Sequence, residues 1–246
     1  MKKIIFLQVL AFVWGICFLA TMAAAQDAPI SIPPLAVQSA KPALTSPFTI
    51  ALTYYKLAAR APDFESWVKQ KDSYKNANRF DQPAMMSAMV QQMKDAYNNL
   101  LLTEPLIVQT QVTLSPYDAK NQGFFVESFK SSTFFPASYA GESYAIVPED
   151  ITDKQWLKVD DPDVAAATEK AAAGNNHLLT MVIYLTPRYA DTKSPAVIDG
   201  ENYWPIAADV KQMMLYPAAD SNTVLWQSTD ANKLDKLHQS ILNLYQ

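Results

Sequence analysis

The sequence runs to 246 residues, with 20 basic against 24 acidic side chains, one cysteine and five glycines. A mildly acidic chain without a basic run lacks the charge pattern that nucleic acid or an anionic lipid surface requires. No glycine falls in a G-x-G-x-x-G or G-x-x-x-x-G-K pattern, which excludes a glycine-built phosphate cradle.

The first element is an export signal. Met1-Lys2-Lys3 is positive, Ile4 to Leu19 is almost wholly apolar apart from Gln8, and Ala23-Ala24-Ala25 follows. That order predicts a secretory signal peptide over residues 1–25, cut between Ala25 and Gln26. The alternative is an uncleaved anchor, because the apolar run extended through Met22 approaches the ~20 residues that span a bilayer. Ile16 and Trp14 beside Cys17 do not suit a lipid-attachment box. Removing 25 of the 246 residues leaves 221, enough for one domain with a substantial core. The only cysteine leaves too, so the mature chain can form no disulfide, Cys-ligated metal site or thiol nucleophile. The expected destination is the periplasm or the exterior.

Residues 26–46 hold four prolines and read as an extended, mobile linker. Ser46-Pro47 then starts a helix that runs to about Arg60, before Pro62. A short helix starts near Asp63. A third is capped by Asp81 and carries the stripe Met86, Met89, Val90, Met93, Tyr97, Leu100 and Leu101. Core packing is the first expectation for that stripe, an adaptable binding groove the second. Strands follow: Leu106 to Leu114 by alternation, then Gly123 to Phe129 and Ser143 to Val147. Pro162 to Ala173 reads as a helix stopped by Gly174-Asn175. Leu178 to Leu185 reads as a central strand, and Ile206–Tyr216 with Asn222–Gln227 as a hairpin. Asp230 caps a last helix with Leu234, Leu237, Ile241, Leu244 and Tyr245 on one face. Helices, then strands, then a helix predict a single α+β domain over 47–246 with a largely antiparallel sheet.

Chemistry-bearing patterns are sparse. Gly141-Glu142-Ser143-Tyr144-Ala145 nearly spells a nucleophile elbow, but an elbow needs a helix after the serine and a strand-like run follows here. A turn at Ala140-Gly141 is the simpler reading. Glu127, Glu142, Glu149, Asp150 and Asp153 could supply the carboxylate pair of a glycosidase. Acids at such positions more often cap or stay solvated, and Asp150 suits a cap. Asp160-Asp161-Pro162-Asp163 lacks calcium-loop spacing and suits a helix start. His177 and His238 have no partners at metal-ligand spacing. No catalytic residue, metal or cofactor is assigned.

The aromatic content is the strongest functional clue. Phe124, Phe125, Phe129, Phe134, Phe135, Tyr139 and Tyr144 crowd one stretch. Tyr189, Tyr203 and Trp204 lie in or beside a second, loop-like stretch from Arg188 to Pro205. Core packing is expected first, a partner surface second and a sugar-stacking groove third. The binding candidates are Phe134, Phe135, Tyr139, Tyr203 and Trp204.

Three stretches carry a resemblance. They are Thr133-Phe134-Phe135-Pro136 with Ser138 to Ala145; Tyr184-Leu185-Thr186-Pro187-Arg188-Tyr189-Ala190-Asp191; and Asp199-Gly200-Glu201-Asn202-Tyr203-Trp204. Together they resemble a bacterial family of exported proteins classed only as a domain of unknown function. The resemblance extends from about residue 47, implies an envelope setting and one domain, and brings no catalytic residues. The resulting expectation is a non-enzymatic periplasmic module that binds an envelope protein or glycan through aromatic loop surfaces of 129–145 and 188–205. The alternative is a hydrolase of envelope glycans or peptides using Glu127 and Glu142, or Ser143. Contact with a membrane is expected only through an uncleaved signal segment.

Overall fold

Ser46 accepts a hydrogen bond from the backbone N–H of Thr49, and Pro47 opens helix α1 (Pro47–Leu57) with its fixed φ. This structure is a computed structural model that describes residues 41–228. The expected signal segment, most of the Pro-rich stretch, His238 and the helix expected after Asp230 lie outside the described residues. Within them, Thr45 exchanges hydrogen bonds with Ile107, so the last part of the expected mobile linker is fastened to a strand.

Six successive residues of α1, Ile50 to Tyr55, are buried. A helix apolar on every side needs cover on every side. It packs on four strands of the main sheet. Asp63 caps α2 (Phe64–Gln70) through Ser66, and the single turn α3 (Asp72–Lys75) follows. Helix α4 (Gln82–Asn99) lies against α2 and α3. Asp81 precedes it without capping it by its side chain. Of its expected stripe only Met93 is buried, Leu101 is exposed, and the others rest half-buried against the core. Lys56 fastens the far end of α4. Its ammonium donates to the carbonyls of Tyr97, Asn98 and Leu100 at 2.6–3.0 Å, where the helix leaves acceptors unpaired.

The strands are β1 (Leu106–Thr113), β2 (Gly123–Phe125), β3 (Phe135–Tyr139), β4 (Glu142–Pro148), β5 (Trp156–Lys158), β6 (Leu178–Ala190), β7 (Ala196–Ile198), β8 (Glu201–Tyr216) and β9 (Trp226–Gln227). The 3-10 turn Ile151–Lys154 and helix α5 (Pro162–Gly174) lie between them. The main sheet runs β1-β6-β8-β4-β3, with β7 and β9 on β8, while β2 and β5 form a separate ribbon. The fold is α+β, but the sheet is mixed: β4 and β8 pair in parallel. The long excursion between them, through β5, α5 and β6, permits that direction, which a tight hairpin would forbid.

Two strands outrun their expected ends. Strand β6 continues past Leu185 through Pro187 to Ala190, and the register with β8 shifts beside the proline. A residue without an N–H forces such an irregularity but need not end the strand. Strand β8 starts at Glu201, so the loop expected over 188–205 is instead the end of β6, then β7, a tight turn and the start of β8. Asp199 and Gly200 take φ of 51° and 84° in that turn, the left-handed pair that a two-residue hairpin needs. Ala140 and Gly141, at 51° and 77°, turn β3 into β4 in the same way. The stretch 129–145, expected to form a loop surface, is largely the β3–β4 hairpin: β3 covers Phe135–Tyr139 and β4 starts at Glu142.

Candidate functional site

Two side-chain clusters flank the β3–β4 hairpin. The first gathers around Glu142, at the start of β4. The Tyr55 hydroxyl donates to both carboxylate oxygens at 3.0 Å, and the Tyr144 hydroxyl donates to Oε2 at 2.6 Å. Burial and then the carboxylate push the Tyr55 hydroxyl up to about 12, and the same causes raise Tyr144 further. Tyr54 donates to the Asp191 carbonyl at 3.1 Å and lies 5.7 Å from the Trp204 ring. The Arg60 guanidinium covers Tyr55, Tyr54 and Trp204 at 5.0, 5.6 and 5.8 Å from their centroids. Cation–π contact of this kind holds an arginine against rings with little conformational freedom. With its carboxylate already occupied by two hydroxyls, this cluster ties α1 to β4 and β8.

The second cluster is an open groove of about 490 Å³ lined by Thr113, Glu127, Ser128, Lys130, Ser132, Thr133 and Phe134. The loop after β2 is anchored on the end of β1. Glu127 N–H donates to the Thr113 carbonyl at 3.0 Å, and Thr113 N–H donates to Ser128 Oγ at 2.8 Å. Lys130 N–H donates to Thr133 Oγ1 at 2.8 Å. Both hydroxyls are thus acceptors toward the backbone and keep their own protons to donate elsewhere. The Phe134 ring meets Tyr203 edge-on at 5.5 Å, and Tyr203 is steadied by a 2.8 Å hydrogen bond to Glu201. A braced ring, four hydroxyls, one carboxylate and one ammonium therefore face a single open space.

The five aromatic candidates divide between these settings. Phe134 lines the groove, and Tyr203 packs against it from outside the lining. Phe135 is only 6% exposed and points inward from β3 opposite Ile146. Tyr139 is held between Phe48 and Trp67 at 5.2 and 4.9 Å, and Trp204 lies beneath Arg60. These three are core or near-core residues and form no exposed patch.

The hydrolase candidates are not brought together. Glu127 lines the groove, while Glu142 is held by its tyrosines. Ser143 Oγ pairs with Ser138 Oγ at 3.0 Å, and among the described residues no histidine hydrogen-bonds to it. It sits inside strand β4 and not on a strand-to-helix turn. His177 is exposed, in the turn after α5. Asp150 accepts from Val210 N–H at 2.9 Å instead of capping the 3-10 turn, while Asp161 caps α5 through Asp163 as expected. Among the described residues, no group of three or more His, Cys, Asp or Glu could hold a metal, and no helix is long and apolar enough to cross a membrane.

Sequence reasoning missed Thr113, Ser128, Lys130, Ser132 and Thr133. The hydroxyl-rich run Ser128 to Thr133 between Phe125 and Phe134 is the signal that could have found them. Comparison with protein-family models, curated proteins and solved structures found no match to the chain.

Proposed function

We propose that this chain is an exported binding module of the bacterial envelope, and that it takes a hydroxyl-rich ligand, a glycan, in the groove between Thr113 and Phe134. The observation that carries the reading is the groove lining itself. The Ser128 and Thr133 hydroxyls already accept from the backbone and keep protons free to donate to an incoming acceptor, and a braced phenyl ring offers a face for the apolar side of a sugar. Glu127 and Lys130 add an acceptor and a donor that a hydroxyl can satisfy from either side. Export rests on the signal pattern of residues 1–25, with periplasmic or external release after Ala25.

The resemblance to exported proteins of unknown function supports the same setting. Its three stretches lie side by side: β4 pairs with the start of β8 through Tyr144 and Trp204, and the end of β6 pairs with β8 at Ala190 and Ile206. They describe a shared scaffold more than a reactive centre. The hydrolase alternative has less support, because Glu142 and Ser143 are both engaged away from Glu127.

The test is calorimetric titration of the purified protein with chitobiose and cellobiose, beside Phe134→Ala and Ser132→Ala variants, with melting temperatures measured to check that each folds. Binding of at least one disaccharide is expected, weakened about tenfold by either substitution, the loss of a contact worth about 1.4 kcal/mol. Equal binding by parent and variants, or none by the parent, refutes the groove as the site.

A further inference from the structure

We propose that the groove is one part of a longer track for a linear β-linked polysaccharide, and that Trp156 and Phe125 form its second platform; this rests on the glycan reading above. The ribbon of β2 and β5 places Phe125 directly opposite Trp156. Phe124 and Leu157 turn inward and are buried, so the two opposed rings stand on the outer face. They remain 41% and 38% exposed, high values for rings that could pack inward.

The pose of the indole is set by Gly123. Atoms Cε2 and Cζ2 of Trp156 lie 2.8 Å from where a Cβ on Gly123 would stand. The ring therefore lies across the ribbon onto the diagonal glycine, one face on the backbone and the other toward solvent. A flat, supported indole face beside a phenyl ring suits the apolar face of an equatorially substituted sugar.

The platform adjoins the groove along the chain. Phe125 and Glu127 are exposed while Phe124 and Val126 are buried, so both reach the same side, about 7 Å apart along the chain. The path thus alternates ring, polar groove and ring: Trp156 with Phe125, then Glu127 to Thr133, then Phe134 braced by Tyr203. Sugar units joined through equatorial bonds form a flat ribbon, apolar on its faces and hydroxyl-bearing along its edges, so rings can stack on a face where the groove's polar groups meet an edge. A peptide that docks by adding a strand would need a free strand edge. Here β2 is flanked by β5 on one side and bonded to Ser115 on the other, and the Lys158 carbonyl of β5 is taken by Trp226.

The experiment titrates chito- and cello-oligosaccharides of increasing length, from the disaccharide to the hexasaccharide, into the parent, Trp156→Ala, Trp156→Tyr and Phe125→Ser. In the parent, affinity should rise at least about tenfold with length. Trp156→Ala should keep the disaccharide affinity and lose the rise, Phe125→Ser should reduce it, and Trp156→Tyr, which retains a ring, should keep most of it. Melting temperatures check that each variant folds. A parent that binds the disaccharide without any gain on lengthening, or a gain that survives Trp156→Ala, overturns the platform and leaves the groove standing. A parent that binds no oligosaccharide overturns both. Trp156-dependent binding of a peptide pool but of no oligosaccharide makes the surface a protein-docking face and also sinks the proposal.

Discussion

Glu142 is the acceptor for two tyrosyl hydroxyls whose rings are core residues, Tyr55 and Tyr144. Replacing it with alanine strands both donors. A buried polar group without a partner costs about 1–3 kcal/mol, so two give a ceiling of about 6 kcal/mol. Tyr55 lies nearer the surface, and we expect about 3 kcal/mol for Glu142→Ala. For a domain of this size that corresponds to a melting temperature lower by roughly 6–12 °C. Tyr144→Phe alone removes a bond to a charged acceptor and should cost about 1.5–3 kcal/mol. In the Glu142→Ala background its sign reverses: the phenylalanine removes a stranded hydroxyl and restores about 1 kcal/mol. Urea unfolding of all four proteins at pH 7, followed by circular dichroism, gives the coupling energy if the m-values agree. Equal destabilisation by Tyr144→Phe in both backgrounds would show that the carboxylate and the hydroxyl do not act as a pair.

Alkaline pH probes the same cluster. The Tyr55 hydroxyl is pushed up to about 12, so its contribution is complete below the unfolded value of 10.0 and is lost as pH rises toward 12. Tyr55→Phe should flatten the fall of stability over that window by at most about 1.4 kcal/mol per pH unit, and parallel slopes refute this. Gly123→Ala should cost about 1–3 kcal/mol and change the near-ultraviolet signal of Trp156, because the added methyl meets the Leu157 carbonyl and the indole. A silent substitution would show that the indole is not seated there. Lys56→Met removes the donor shared by three carbonyls at the end of α4 and should destabilise by about 1–2 kcal/mol. Hydrogen exchange should quicken over the last turn of α4 first; uniform quickening across the domain would argue against a local clamp.

The helices were largely legible because their signals are local. Ser46-Pro47, Asp63 and Asp161-Pro162 each announce a first turn, and the three caps form as written. The sheet was less legible because pairing partners are distant in sequence. Nothing local to Tyr144 says that it will lie beside Trp204, or that the two strands run in the same direction. Prolines misled twice: Pro187 and Pro205 lie within strands that bulge or pair around them. Asp199-Gly200 carries a hairpin signal, but it stands in a stretch whose composition otherwise resembles a loop. At the site, residue type identified Phe134 and Tyr203 but could not separate them from Phe135 and Trp204. That division depends on which way each ring faces once the strands are paired. The groove hydroxyls were invisible singly, because a serine acquires its role only when a backbone N–H occupies its lone pair.

The burial of Ile50 to Tyr55 in α1 also has a temporal meaning. Its cover comes from β3, β4, β6 and β8, and β8 ends at Tyr216. A chain synthesised from its N-terminus makes this apolar helix first and can enclose it only after the last of those strands exists. Closure by such long-range pairings is slow compared with local helix formation. The apolar face of α1 thus stays without its full cover until the chain has been made as far as Tyr216, long after the helix itself can form.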